Sequence, residues 1–138
     1  MPVVLRRYLL AGVTPFLFLF LTFSSPAMAD RSRVLAPDGW MAVPEWTSEE
    51  KQETIVKKFI RKTSSASYFW FRLKGAEKPH THEQDLIVVM IEGQAVMHMG
   101  EKSFKLRKGD IIDIPRGALH WAESKGRKPV LVYGVFLE

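Results

Sequence analysis

The chain contains no cysteine, which excludes any disulfide and any lipid anchor on a cysteine. It also lacks a basic block. Its lysines and arginines are scattered among acids, with no basic motif interleaved with aromatics, which argues against a nucleic-acid partner. No phosphate-cradling glycine loop, dinucleotide fingerprint or nucleophile–base pair stands out. Histidine is scarce, with four in the whole chain. Function is therefore expected from a cluster of these few residues or from ligand binding. What is present is an ordinary globular composition, 46% apolar and 25% charged, over 138 residues, enough for one domain and one core.

The apolar content is unevenly placed. Arg6 and Arg7 precede an uncharged run, residues 9–23, dominated by Leu and Phe. Ser24, Ser25 and Pro26 then lead to Ala27-Met28-Ala29, a small-x-small site. A basic start, a short apolar stretch and A-x-A together predict a secretory signal peptide over residues 1–29, cut after Ala29, and a periplasmic or secreted protein. The competing reading is a retained anchor, because the run approaches the lower limit of about 17 residues for a spanning helix. Pro15 inside the run and the cleavage site behind it favour removal. Arg6-Arg7-Tyr8-Leu9-Leu10 also fits a twin-arginine signal loosely, so the export route stays open. Cleavage removes two arginines and no acids, taking the formal charge from +5 to about +3.

Residues 30–52 carry Pro37, Gly39 and Pro44 with no sustained period and are expected to form an irregular extension, with Trp40 and Trp46 covering a barrel end or packing along its edge. Thr47-x-x-Glu50 has the form of a capping box for a short helical turn. From residue 53 to 138 the pattern changes. Residues 54–62 and the aromatic run ASYFWFRL read as strands, followed by short strands at 86–91, 95–99, 103–106, 110–114, 121–123 and 130–137. Glycine turns separate them, and no crossover helix fits between them. The expected fold is an all-β antiparallel sandwich or barrel. Residues 86–91 and 130–133 are apolar on both faces, so the outside of the barrel needs cover as well. A homodimer is expected to supply it, with the N-terminal segment as a partial substitute.

In KPHTHEQDLIVVMIEG, residues 78–93, His80 and His82 are two apart. On a strand both imidazoles point to the same side. His120 follows in GDIIDIPRGALHW. Neutral imidazole is the commonest ligand of Fe, Ni, Zn and related metals, and such a pair plus one neighbour gives a facial set with positions left open. His80, His82 and His120 are the candidate metal ligands.

These two stretches resemble the paired motifs of the cupin superfamily, G-x5-H-x-H-x3,4-E-x6-G and G-x5-P-x-G-x2-H-x3-N. Gly109, Pro115, Gly117 and His120 match the second at every spacing, with Ser124 in place of Asn. His80, His82 and Gly93 match the first. The chain thus resembles a small single-domain cupin preceded by a signal peptide. The resemblance implies a double-stranded β-helix, or jelly-roll barrel, holding a divalent transition metal (Fe, Mn, Ni or Zn) in its wider end. Two departures qualify it. Lys74 holds the place of the leading glycine, with Gly75 one position late, and Leu86 holds the place of the metal-binding glutamate. The neighbouring oxygen donors are Asp85 and Gln84. Alternation puts Gln84 on Leu86's face and Asp85 on the opposite one, unless a bulge turns Asp85 inward. Three histidines alone, as in the branch resembling thiol dioxygenases, or three with Asp85 or Gln84, remain the alternatives.

His98 fits no motif position and is expected to be a non-ligand; Glu83 is expected in solvent, as are Arg72 and Arg116, and Trp121 points away from His120. Phe69, Phe71, Met90, Met97 and Met99 are core or interface material, and those facing inward would favour an apolar or aromatic small-molecule ligand. Two functional expectations follow: a metal-dependent enzyme outside the cytoplasm, an oxygenase being the leading case, or a non-catalytic protein binding a small ligand or metal.

Overall fold

The computed structural model describes residues 32–138, so the signal segment and its cleavage site lie outside the described residues. Among the described residues ten strands follow one another: β1 (Arg33–Ala36), β2 (Gly39–Ala42), β3 (Ile55–Lys62), β4 (Ala66–Leu73), β5 (Asp85–Glu92), β6 (Gln94–Met99), β7 (Lys102–Arg107), β8 (Ile111–Ile114), β9 (His120–Lys125) and β10 (Val130–Leu137). Every pairing is antiparallel, in a five-stranded sheet ordered β3-β4-β10-β5-β8, a three-stranded sheet ordered β7-β6-β9 and a small β1-β2 hairpin. Leu86, Val88 and Met90 of β5 share one buried cluster with Ala95 and Met97 of β6, Leu106 of β7 and Ala122 of β9. Residues of alternate parity on the two large sheets thus close over a single interior, the jelly-roll arrangement.

The N-terminal stretch differs from its expected irregularity. The Pro37-Asp38 turn folds β1 onto β2 with Ala36 opposite Gly39, and Gly39 takes a φ of +110° that other residues avoid. Trp40 does not cover the barrel: it is exposed, with the Arg33 guanidinium 4.3 Å from its ring centre. Trp46 packs along the edge strand instead, beneath the Lys58 ammonium at 5.0 Å. The capping box forms as expected. Thr47 N donates to Glu50 Oε2 (2.8 Å) and Glu50 N to Thr47 Oγ1 (3.2 Å), and a single 3-10 turn, Glu50–Gln52, follows. The carbonyls of Glu50 and Lys51 then accept from Arg72 at 3.3 Å each. Arg72, expected in solvent, is therefore buried, because this turn lies over the outer face of β4 and supplies the acceptors that a buried guanidinium needs. Part of the outer cover thus comes from the chain itself.

Two glycines set the shape of the interior. Gly93, between β5 and β6, has φ +83°, and a Cβ there would lie 2.7 Å from the Pro129 carbonyl oxygen. Gly134, in the middle of β10, leaves room for the Phe71 ring, which a Cβ would meet at 2.4 Å.

Candidate metal centre

Strand pairing brings the three histidines together. His80 lies just outside the named strands but forms an isolated bridge with His120 at the start of β9: each backbone N–H donates to the other's carbonyl at 3.0 Å. The His82 carbonyl accepts from Gly117 N at 2.8 Å, so the Pro115-Arg116-Gly117 turn that leads into His120 also holds His82. The ring centres stand 4.8 Å (His80–His82), 4.5 Å (His80–His120) and 5.0 Å (His82–His120) apart. One ligand nitrogen from each lies within 4.8 Å of the others.

The protonation pattern suits a metal. Nδ1 of His80 is 2.9 Å from the Lys78 carbonyl, and Nδ1 of His120 is 2.9 Å from the Ala118 carbonyl. A carbonyl only accepts, so both Nδ1 atoms carry hydrogen, and Nε2 is the nitrogen each ring can offer to a metal. His82 is kept neutral by its surroundings. Desolvation in the barrel, then the nearby His120, His80 and Lys57, push its pKa down to about 4. Three clustered imidazoles, two of them oriented by backbone carbonyls, meet the donor requirements of a divalent transition metal.

The two oxygen donors proposed for a fourth position do not join the triad. Asp85 faces away, as strict alternation requires. Its carboxylate accepts from Arg116 N at 2.8 Å and from the Arg116 guanidinium at 3.2 Å, and these hydrogen bonds hold its pKa below the usual carboxylate value. No bulge turns it inward: β5 pairs with β8 in continuous register from Leu86 to Val89. Asp85 instead pins the turn that carries His120. Gln84 does share the inner face with Leu86, yet its amide is directed to Glu138 Oε2 at 3.5 Å. Leu86 itself is buried on the cavity wall. Among the described residues, the clustered metal-binding groups are the three histidines.

The triad opens on a cavity of about 600 Å³, within the range of small-molecule sites. Its walls include Phe69, Phe71, Met90 and Met97, while Met99 packs against the core without lining it. Phe136 packs edge-on against His82 with ring centres 5.1 Å apart. His98 lies on the other face of β6: its ring stacks on Trp121 at 4.6 Å, and Nδ1 meets Ser103 Oγ at 2.8 Å. Its Nε2 is 3.3 Å from Glu123 Oε1 but misaligned for a hydrogen bond, leaving it the less satisfied nitrogen. Glu83 is exposed, and Arg116 is exposed beside Asp85.

Three polar features of the cavity escaped the sequence reading. Lys57 of β3 reaches over the aromatic wall, Glu77 accepts from Ala122 N at 2.8 Å, and Glu138 gathers Lys62 (3.2 Å) and Ser67 (3.0 Å). The alternation Ile55-Lys57-Phe59 was the one available signal, since it puts Lys57 on the same face as two apolar residues.

Comparison with known proteins agrees with this geometry. Residues 69–136 match the family described as Cupin domain. The chain belongs to the cupin superfamily. A curated relative, an uncharacterised protein of Aquifex aeolicus (strain VF5), is 31% identical over 74 residues, covering 53% of this chain and 61% of the relative. This cupin therefore spans less than two thirds of that relative's length. Among solved structures, TT1209 from Thermus thermophilus is similar at a TM-score of 0.58 and 26% identity, covering 68% of this chain and 89% of that one. The structure of KdgF from Halomonas sp. is similar in fold, with a TM-score of 0.57 and 22% identity over 62% of this chain and 82% of that one.

Proposed function

We propose that this cupin is a metal-dependent enzyme acting on a small, apolar-bodied molecule outside the cytoplasm, with oxygenation as its reaction. The observation that carries the reading is the convergence of three imidazoles, two of them oriented by backbone carbonyls, on an apolar cavity. A divalent transition metal (Fe, Mn, Ni or Zn) held by His80, His82 and His120 would supply Lewis acidity and, as iron, the redox capacity for dioxygen chemistry. The chain's own residues do the rest. The carbonyls of Lys78 and Ala118 fix two rings, Asp85 fixes the turn beneath the third backbone contact, and Leu86 withholds a fourth side-chain ligand from its side of the triad. Phe71, Met90 and Met97 exclude water from the substrate's body.

Elemental analysis of purified protein tests the centre. The parent is expected to hold about one metal per chain, and H80A/H82A to lose most of it. Unchanged metal content in the double variant would end this reading.

A second reading, a non-catalytic binding protein for a small ligand or metal, is favoured by one observation. The two cavity carboxylates already have partners, Glu77 with Ala122 N and Glu138 with Lys62 and Ser67, so neither is free for proton transfer. Metal-dependent turnover of a candidate substrate separates the two. Export is supported by the signal-like residues 1–29. A homodimer is supported by the large apolar side chains left exposed, Phe104, Ile111 and Leu119 among them. Light scattering of the mature protein checks the dimer.

A further inference from the structure

Two lysines border the cavity, and their situations differ. Lys62 is paired with Glu138 at 3.2 Å. Lys57 has no carboxylate within ion-pair distance among the described residues. It lies on β3 opposite Phe71, on the face that looks into the barrel. A lysine on an edge strand ordinarily extends its ammonium into water. Lys57 is exposed at the edge of the cavity, yet its ammonium stands 4.7 Å from the Phe69 ring centre and 5.7 Å from that of Phe136, the ring that packs on His82. The aromatic faces hold the ammonium in place without neutralising its charge, and its three N–H donors stay free for a ligand. The site is thus an apolar chamber with one positioned, uncompensated cation near the histidines. No arginine fork and no second unpaired cation lines it among the described residues, which suits one carboxylate better than a doubly charged phosphate.

We propose that Lys57 determines the specificity of this cavity by anchoring the carboxylate of a monoanionic ligand whose aromatic or aliphatic body lies between Phe71, Met90 and Met97. The inference rests on the reading of the cavity as the substrate site and names the class of molecule it takes. The ligand's anion meets the ammonium at the Phe69–Phe136 side, and its apolar part fills the barrel beside the triad. A neutral analogue of equal shape keeps the apolar contacts and loses the anchor.

Calorimetric titration of 3-phenylpropanoate and the matched neutral 3-phenylpropanamide tests this, in zinc-loaded and in metal-free protein, for the parent, K57M and K57R. The acid is expected to bind the parent roughly ten- to hundredfold more tightly than the amide. K57M should abolish that preference while leaving the amide's affinity unchanged, which also shows that the cavity is intact, and K57R should retain it. An acid preference that survives K57M, equal affinities for acid and amide in the parent, or binding of neither probe each overturns the assignment. The metal-free arm separates Lys57 from direct ligation of the acid by zinc. Zinc content measured on the same samples reads the metal centre independently. A Lys57-dependent preference in protein that takes up no zinc sinks the metal-centre reading alone, whereas zinc uptake without the preference sinks the Lys57 assignment alone.

Discussion

Leu86→Glu restores a carboxylate at the one metal-ligand position of the two motifs that this chain leaves without a donor, and two opposing effects follow. Leu86 is 5% exposed, opposite Phe136 on β10 and Ile114 on β8, so the parent gains about 2–3 kcal/mol from burying its side chain. Glutamate there forfeits part of that gain and adds about 1–3 kcal/mol for a carboxyl group without a hydrogen-bond partner. In metal-free protein the total is about 3–5 kcal/mol, a fall in Tm of roughly 15–25 °C. Zinc should reverse part of the loss. Leu86 shares the cavity with the triad, so the new carboxylate becomes a fourth donor, and a tenfold gain in affinity corresponds to about 1.4 kcal/mol of added stabilisation at saturating metal. Scanning calorimetry with and without zinc reads both terms. The zinc-induced rise in Tm should exceed the parent's by about 5–10 °C. A metal-free L86E within about 1 kcal/mol of the parent would show that Leu86 is not buried against the cavity. A zinc-induced rise no larger than the parent's would show that it does not face the histidines.

Other perturbations have equally definite outcomes. Gly93→Ala places a methyl 2.7 Å from a backbone oxygen at a φ of +83°, so its urea midpoint should fall by the equivalent of about 1–3 kcal/mol with the m-value unchanged. His98→Ala should leave metal content as in the parent, because its ring stacks on Trp121 on the opposite face of β6. Asp85 has a folded pKa below its unfolded value through its hydrogen bonds to Arg116, so its stabilising contribution is complete above the unfolded pKa and is lost as pH falls through the folded one. Thermal scans of the parent should therefore lose more stability on acidification below about pH 4 than scans of D85N, which has already lost that contribution at neutral pH. Identical acid profiles for the two proteins would remove the role assigned to Asp85.

The strands from residue 54 onward were legible because period-2 alternation and glycine turns are local. Spacing likewise made His80, His82 and His120 candidates. What spacing could not give was mutual distance, which depends on the His80–His120 backbone bridge between segments forty residues apart. The N-terminal hairpin was obscured because a two-residue turn flanked by four-residue strands leaves almost no period to detect. Arg72 was misplaced for a different reason: its burial depends on two carbonyls that a separate turn brings over β4.

Residue type and local spacing were enough to establish the class of fold, the identity of the three histidines and the absence of a glutamate at position 86. Chain-wide packing was needed to assign Asp85 to the His120 turn, to direct Gln84 to the rim, and to turn Lys57 into an aromatic chamber. One cause underlies all three. A polar side chain's role is set by the groups it lies against, and for these residues those groups come from another strand or turn.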